Sequence, residues 1–386
     1  MKKKVLLFGS YVVVAALASC LTLAVNFLLT GQSGPSKLDQ IASLIEERYI
    51  GQADRTEVED AAAAAMVAAT GDRWSYYIPA DSYQAYREQS ENAYVGIGIT
   101  IQLMEDASGF GVVSVEADGP AAEAGMQPGD LMIAVDDQDV RQMSLDEVKG
   151  LVRGEEGTYV KITVLRQGDH RTFSVERRQV LTKVATFEML DGDVGLITIV
   201  NFDERCAQET IQAIQTLVSS GAKKLIFDVR HNPGGYASEM VEVLDYLLPE
   251  GELFRMVSYK GDESVDMSDA DCLDIPMVVL VNSGSYSAAE FFAAAMQEYG
   301  AAVVIGEPTT GKGFYQNTFR LSDGSALALS VGKYYTPKGI SLEGIGIVPD
   351  VPVKVDDDTA SAIYYGTLPK AEDPYIQEAL RILNHE

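Results

Sequence analysis

The spacing of apolar residues changes several times along this chain, and each change marks a different kind of structure. After Met1-Lys2-Lys3-Lys4, an apolar run fills positions 5–29, with Asn26 as its only strongly polar residue. A run of that length spans a bilayer, and the lysines before it set its start in the cytoplasm. The expectation is an uncleaved signal-anchor over residues 1–30, giving a single-pass cell-membrane protein whose remainder is extracytoplasmic, periplasmic or extracellular. Two alternatives stay open. Leu17-Ala18-Ser19-Cys20 reads as a lipoprotein cleavage box, and a cleaved signal is the third option, although the apolar run continues well past Cys20.

Residues 31–36 form a small polar linker. Leu38, Ile41, Leu44 and Ile45 then recur at helical spacing, an alanine-rich helix is predicted over 57–70, and Ala80-Asp81-Ser82 opens a third, short one. Together these make an N-terminal helical segment, residues 37–91. The single tryptophan, Trp74, lies beside Tyr76, Tyr77 and Ile78, which reads as a packing cluster. From about Asn92 the pattern becomes β-rich. Strands are predicted at 94–99, 111–115, 131–135 and 159–165, with a helix opening at Ser144. Gly119-Pro120-Ala121-Ala122 and Pro128-Gly129-Asp130 punctuate them, and this order resembles a PDZ domain over residues 92–178. PDZ domains take up a peptide as an added strand and hold its terminal carboxylate in a backbone nest. The resemblance puts that nest at Val95, Gly96, Ile97 and Gly98; a tight turn that merely needs glycine is the plainer alternative.

From Val184 strands and helices alternate. Strands are predicted at 194–200, 224–229 and 277–281, with helices at 206–218 and 237–248 and another opening at Ser285. That is βαβ logic, hence a mostly parallel α/β core over residues 184–354. Residues 355–386 read as an acidic, polar tail with a short helix over 374–383.

Composition narrows the function. With 57 acidic and 30 basic residues the net charge is −27, which argues against nucleic acid as a partner. Cys20, Cys206 and Cys272 have no metal-ligand spacing, and no His-Glu-x-x-His element occurs, so no metal or cofactor is expected. Whether Cys206 and Cys272 pair is left open. Of the three histidines, His170 sits in a charged turn and His385 at the end of the sequence; only His231 lies near a catalytic-looking element. Gly306-Glu307-Pro308-Thr309-Thr310-Gly311-Lys312 nearly matches a phosphate-binding loop. It has Gly313 where the magnesium-binding hydroxyl is required, and a strand rather than a helix follows.

What remains is Ser287. It stands at a strand-to-helix turn, where a hydroxyl is displayed beside unpaired backbone N–H groups. Ser287-Ala288-Ala289-Glu290 is also a capping box. Lys312, between two glycines and 25 positions further on, is a candidate base. A free lysine titrates near about 10.4, so such a base needs a dry site, and Glu290 and Glu307 are expected to point away from the amine. His231-Asn232-Pro233-Gly234-Gly235 is a turn between strand and helix. Its exposed N–H, from Gly234 or Gly235, would form an oxyanion hole with that of Ala288.

Three stretches carry a specific resemblance: Asp228 to Gly235, Gly284 to Phe291, and Gly306 to Gly313 with Gln316. Lys333-Tyr334-Tyr335-Thr336-Pro337-Lys338-Gly339 and Gly344-Ile345-Gly346-Ile347-Val348-Pro349-Asp350 add to it. Together they resemble the carboxy-terminal processing (tail-specific) proteases. The resemblance implies a crotonase-like α/β core with an inserted PDZ domain, after a helical segment and a membrane anchor. It implies a serine endopeptidase working through an acyl-enzyme, with Ser287 as nucleophile, Lys312 as base and Gln316 orienting the lysine. The substrates implied are proteins or peptides with apolar C-terminal tails, and a homo-oligomer is possible. Tyr286, Ala289 and His231 depart from the family pattern without removing a catalytic group. The alternative is a catalytically inactive PDZ scaffold on a degenerate protease core.

Overall fold

The computed structural model describes residues 35–104 and 108–385. Two compact units divide at Asp72 and Arg73. In the first, α1 (Lys37–Arg48) starts at a Ser36 capping box and α2 (Arg55–Ala68) starts at Asp54, whose carboxylate accepts from Thr56 N and Glu57 N.

The second unit holds the PDZ domain and the core. It begins with β1 (Tyr76–Ile78) and α3 (Tyr83–Ser90). Strands β2 (Ala93–Gly96) and β9 (Arg178–Leu181) pair antiparallel as a two-stranded stem, and the PDZ sheet lies between them in sequence. Its strands are β3 (Ile99–Leu103), β4 (Phe110–Val115), β5 (Leu131–Val135), β6 (Gln138–Asp139), β7 (Tyr159–Arg166) and β8 (Asp169–Glu176). They run in the order β3-β4-β5-β7-β8, with β6 on β5. The short helix α4 (Pro120–Glu123) and α5 (Leu145–Val152) cover this sheet, closing a core around Phe110, Met132, Val148 and Ile162. At the base of the stem, Asn92 and Asn201 exchange side-chain hydrogen bonds of 2.7 and 3.1 Å while buried.

The core sheet has the order β10 (Ala185–Leu190), β11 (Val194–Ile199), β12 (Lys224–Asp228), β15 (Met277–Val281), β16 (Ala302–Gly306), β19 (Val351–Pro352). Only the β10–β11 pair is antiparallel. The crossovers carry α6 (Cys206–Ser219), α7 (Ala237–Leu247) and α8 (Ala288–Glu298). Successive right-handed crossovers that step in one direction put every helix on the same face. Side chains alternate along each strand accordingly. Ile197, Phe227, Val279 and Val304 pack against those three helices. Leu196, Ile226, Val278, Leu280 and Ile305 face the other way, where α10 (Pro374–His385) covers them with Tyr375, Ile376, Ala379 and Leu383. The segment read as an acidic tail thus closes the second face, after α9 (Asp357–Tyr364).

A separate antiparallel sheet, in the order β1-β18-β13-β14, adds β13 (Gly251–Ser258), β14 (Glu263–Ser268) and β18 (Ala326–Tyr335), with β17 (Phe314–Arg320) on β18. This arrangement corrects the expectation of a crotonase-like core: one stepwise βαβ layer with its three crossover helices on one face, plus an antiparallel sheet, makes an α/β core of another kind. The membrane expectation is corrected too. The run read as an anchor lies outside the described residues, and among those described no helix is long and apolar enough to cross a membrane. The single-pass, membrane-anchored topology and the extracytoplasmic placement drawn from it therefore have no support in the structure.

Candidate active site

Ser287 stands between β15 and α8 with φ 59° and ψ −128°. A serine held in a sparsely populated backbone region costs about 1–3 kcal/mol, and such strain collects where a side chain must be presented at a sharp strand-to-helix turn. The turn is held from below. Ser285, fully buried, donates its hydroxyl to Val229 O at 2.7 Å, and Asn282 Oδ1 accepts from the N–H groups of His231 (2.9 Å) and Gly284 (3.0 Å). Ser285 is thus occupied in holding the turn.

Glu290 organises the site. Its side chain is fully buried and its carboxylate receives four donors. Oε1 accepts from Thr309 Oγ1 (2.5 Å) and Gly311 N (2.7 Å); Oε2 accepts from Ser287 N (2.9 Å) and Lys312 N (2.8 Å). One oxygen therefore ties the backbone of Ser287 to that of Lys312, within two hydrogen-bond lengths. The glutamate half of the expected capping box is present, and the carboxylate is bound by the backbone amides of Ser287, Gly311 and Lys312. The Glu307 charge is felt by His231 and Tyr375. The near-match to a phosphate loop also loses its chemistry here, since the N–H groups of Gly311 and Lys312 already serve a carboxylate.

The Asn-Pro-Gly-Gly turn comes against the serine. A Cβ on Gly234 (φ 87°) would lie 2.7 Å from Ser287 Cβ and 2.9 Å from Ala288 N, so only glycine fits. Gly234 N donates to Asn232 Oδ1 at 2.8 Å, and Gly234 O accepts from Phe202 N at 2.7 Å. Behind the turn, Arg230 is buried between Asp228 and Asp373, at 2.6 and 2.9 Å. Burial works against its charge, but the two carboxylates prevail and raise its pKa.

Lys312 is half-buried. Its Nζ lies over the rings of Trp74 (5.3 Å to the centroid) and Tyr286 (5.7 Å). Trp74 and Tyr286 stack at 6.4 Å with planes 20° apart. Gln316 lies at the start of β17, its Nε2 donating to Phe314 O (3.1 Å) and Ser330 Oγ (3.0 Å). His231 is turned elsewhere: its Nε2 is 2.8 Å from Asn282 Nδ2 and its ring meets Tyr364 edge-on at 5.1 Å. Burial, then the Arg230 charge, lowers its pKa. Asp203, beside the glycine turn, is pushed up to about 7 by burial and by Glu204 and Glu239. Cys206 is buried and Cys272 exposed, and both are free thiols.

In the PDZ domain, Gly96, Ile97 and Gly98 line a groove of about 310 Å³ with Ile99, Ile101 and, from α5, Leu145, Lys149 and Val152. Val95 pairs with Gln179 in the stem. Sequence reasoning missed Trp74 and Tyr286 as neighbours of the lysine, and it missed the second oxygen of Glu290. The capping-box pattern signalled Glu290; nothing in the pattern signalled the aromatic pair.

A serine at a strained strand-to-helix turn, a lysine whose backbone shares its carboxylate and a PDZ groove fit a serine peptidase that acts on C-terminal tails through its PDZ domain. The sequence matches peptidase family S41 over residues 193–353 and a PDZ domain over 111–166. It is 33% identical to the carboxy-terminal processing protease CtpA of Bacillus subtilis over 369 residues, covering 92% of this chain and 79% of that one. A probable CtpA-like serine protease of Staphylococcus aureus is 30% identical over 357 residues, covering 90% and 71%. A solved putative S41 protease from Bacteroides fragilis shares the fold, with a TM-score of 0.57 at 16% identity over 90% of this chain and 97% of that one. The chain belongs to the carboxy-terminal processing proteases of peptidase family S41.

Proposed function

We propose that Ser287 is the nucleophile and Lys312 the general base of this endopeptidase. The observation that carries the reading is the shared Glu290 oxygen, which fixes the backbones of both residues to one point. The PDZ groove takes the apolar tail of a substrate as an added strand, its carboxylate at Gly96–Gly98. Ser287 Oγ attacks the scissile carbonyl carbon while its proton passes to the neutral Lys312 amine. The carbonyl oxygen becomes an oxyanion, received by backbone N–H groups; each such donor contributes about 3–4 kcal/mol. Ala288 is one donor. Gly235 is the better second donor, because the Gly234 N–H is engaged by Asn232. The Gly234 carbonyl faces Phe202, so the trans peptide aims the Gly235 N–H away from Phe202. Collapse expels the amine, which takes the proton from Lys312, and leaves an ester on Ser287. Lys312 then takes a proton from water, the hydroxide attacks the ester carbonyl, and collapse releases the acid as the lysine returns that proton to Ser287 Oγ. Gln316, its Nε2 engaged by Phe314 and Ser330, has its carbonyl oxygen left to orient the lysine.

The test is cleavage of a protein substrate by single variants, with intact-mass detection of the acyl-enzyme. Ser287→Ala and Lys312→Met lose both cleavage and adduct at every pH, while His231→Ala keeps the parent pH profile. Retained cleavage by Ser287→Ala with loss in Ser285→Ala would falsify the assignment, and loss in His231→Ala alone would move the base to the histidine.

A further inference from the structure

We propose that Trp74 and Tyr286 are positioning residues for Lys312: they hold its ammonium against two ring faces between turnovers, fixing its aim and the pH at which it releases its proton. The inference rests on the Ser287–Lys312 reading above. The amine nitrogen lies 5.3 and 5.7 Å from the two ring centroids, inside the range where a ring quadrupole attracts a cation. Both walls are tied to the reacting pair. Tyr286 immediately precedes Ser287. Trp74 donates its Nε1 to Glu343 Oε1 at 3.0 Å, and Glu343 Oε2 accepts from Gly313 N, the residue after the lysine, at 2.8 Å. A shift of either ring therefore moves with the turn that carries the nucleophile or the base.

The two effects of the rings on the lysine oppose one another. As apolar bulk they exclude water and favour the neutral amine. As quadrupoles they attract only the charged form. Charged groups are tied to the same walls. Arg73 lies over the Trp74 ring (4.2 Å), donates to Gly311 O (3.0 Å) and stands 3.9 Å from Glu343. Glu343 is the carboxylate on the Trp74 side, and Glu290 faces the lysine backbone. Tyr286 is itself titratable; burial, then the Asp203 charge, raises its pKa, so it stays neutral. Leucine keeps the apolar bulk and removes the quadrupole, which separates the two effects.

The experiment follows kcat and kcat/KM against pH, from about 5 to 10, for the full chain with labelled β-casein as substrate. The variants are Tyr286→Leu, Tyr286→Phe and Trp74→Leu, with Ser287→Ala and Lys312→Met beside them. Each leucine variant is expected to move the acid limb of kcat/KM down by about half a pH unit, the size of an exposed cation–π contact. Each is also expected to lower kcat, because the lysine loses its aim. Tyr286→Phe keeps a ring face and keeps the limb. Tyr286→Leu decides the case if Trp74→Leu, which also loses the Glu343 bond, fails to fold. An acid limb that stays put or moves upward in Tyr286→Leu overturns the inference, as does a Tyr286→Phe limb that follows the leucine variant. Cleavage by Ser287→Ala or Lys312→Met overturns the dyad and the inference together. Inactive dyad variants with an unmoved leucine limb remove only the aromatic pair.

Discussion

Replacing Glu290 by glutamine changes one atom and should nearly dismantle the site. The carboxylate accepts four hydrogen bonds, two on each oxygen, and has no exposure to water. An amide presents an NH2 in place of one oxygen, so two of the donors face another donor. If the NH2 takes the Oε1 side, Thr309 can turn its hydroxyl, but the Gly311 N–H has no such freedom. If it takes the Oε2 side, the N–H groups of Ser287 and Lys312 both lose their acceptor. A hydrogen bond to a charged group is worth about 1.5–3 kcal/mol, and a buried donor left unsatisfied costs about as much again. The expected loss is therefore about 3 kcal/mol or more, of the order seen when one member of a buried charged network is removed. Trp74, the single tryptophan, stacks on Tyr286 in the site, so its fluorescence during urea unfolding reports on this region. Glu290→Gln should lower the urea midpoint and reduce kcat far more than it raises KM, because tail binding in the PDZ groove is untouched. A variant with the parent midpoint and parent kcat would refute the claim that this carboxylate holds nucleophile and base together.

Two further outcomes are expected. Burial, with the Glu204 and Glu239 charges, pushes Asp203 up to about 7 in the folded chain against about 3.9 when unfolded, so folding favours its protonated form. Stability should then fall as pH rises from about 4 through about 7, and Asp203→Asn should flatten that fall; equal slopes for parent and variant in urea midpoints across this window would contradict it. In competition with substrate, a peptide with a free apolar C-terminus should inhibit the full chain more strongly than its amide, since a backbone nest satisfies one carboxylate; equal inhibition would remove the groove's assigned role.

Much of the site was legible because its parts are local. The apolar strand 277–281, the turn and the Ser-Ala-Ala-Glu start of α8 are a contiguous pattern, and the PDZ strands and βαβ alternation follow from period alone. The proposed pairing of Ser287 with Lys312 came from family resemblance, since spacing could not have chosen it. The parts that could not be read depend on long-range register. Nothing local says that α6, α7 and α8 share a face, so nothing local says that Tyr375 and Leu383 in an acidic stretch must be core residues. The crotonase-like expectation failed for the same reason, because strand order is a property of the assembled sheet. Likewise, Trp74 and Tyr286 are separated by more than two hundred residues, and only the tertiary fold brings them to the lysine.

That the sheet face opposite the crossover helices is covered by the last helix has a consequence for how the molecule is made. A chain emerging in order completes β11, β12, β15 and β16, with their three crossover helices, before residues 374–383 exist. Until then Leu196, Ile226, Val278, Leu280 and Ile305 form a bare apolar surface, and Arg230 has Asp228 but not Asp373 beside it. The serine and the lysine have both been synthesised by that stage, yet the turn that carries Gly234 and Gly235 still lacks its backing. Docking of the last helix therefore does two things at once: it buries that surface, and it brings the second carboxylate to the arginine behind the glycine turn.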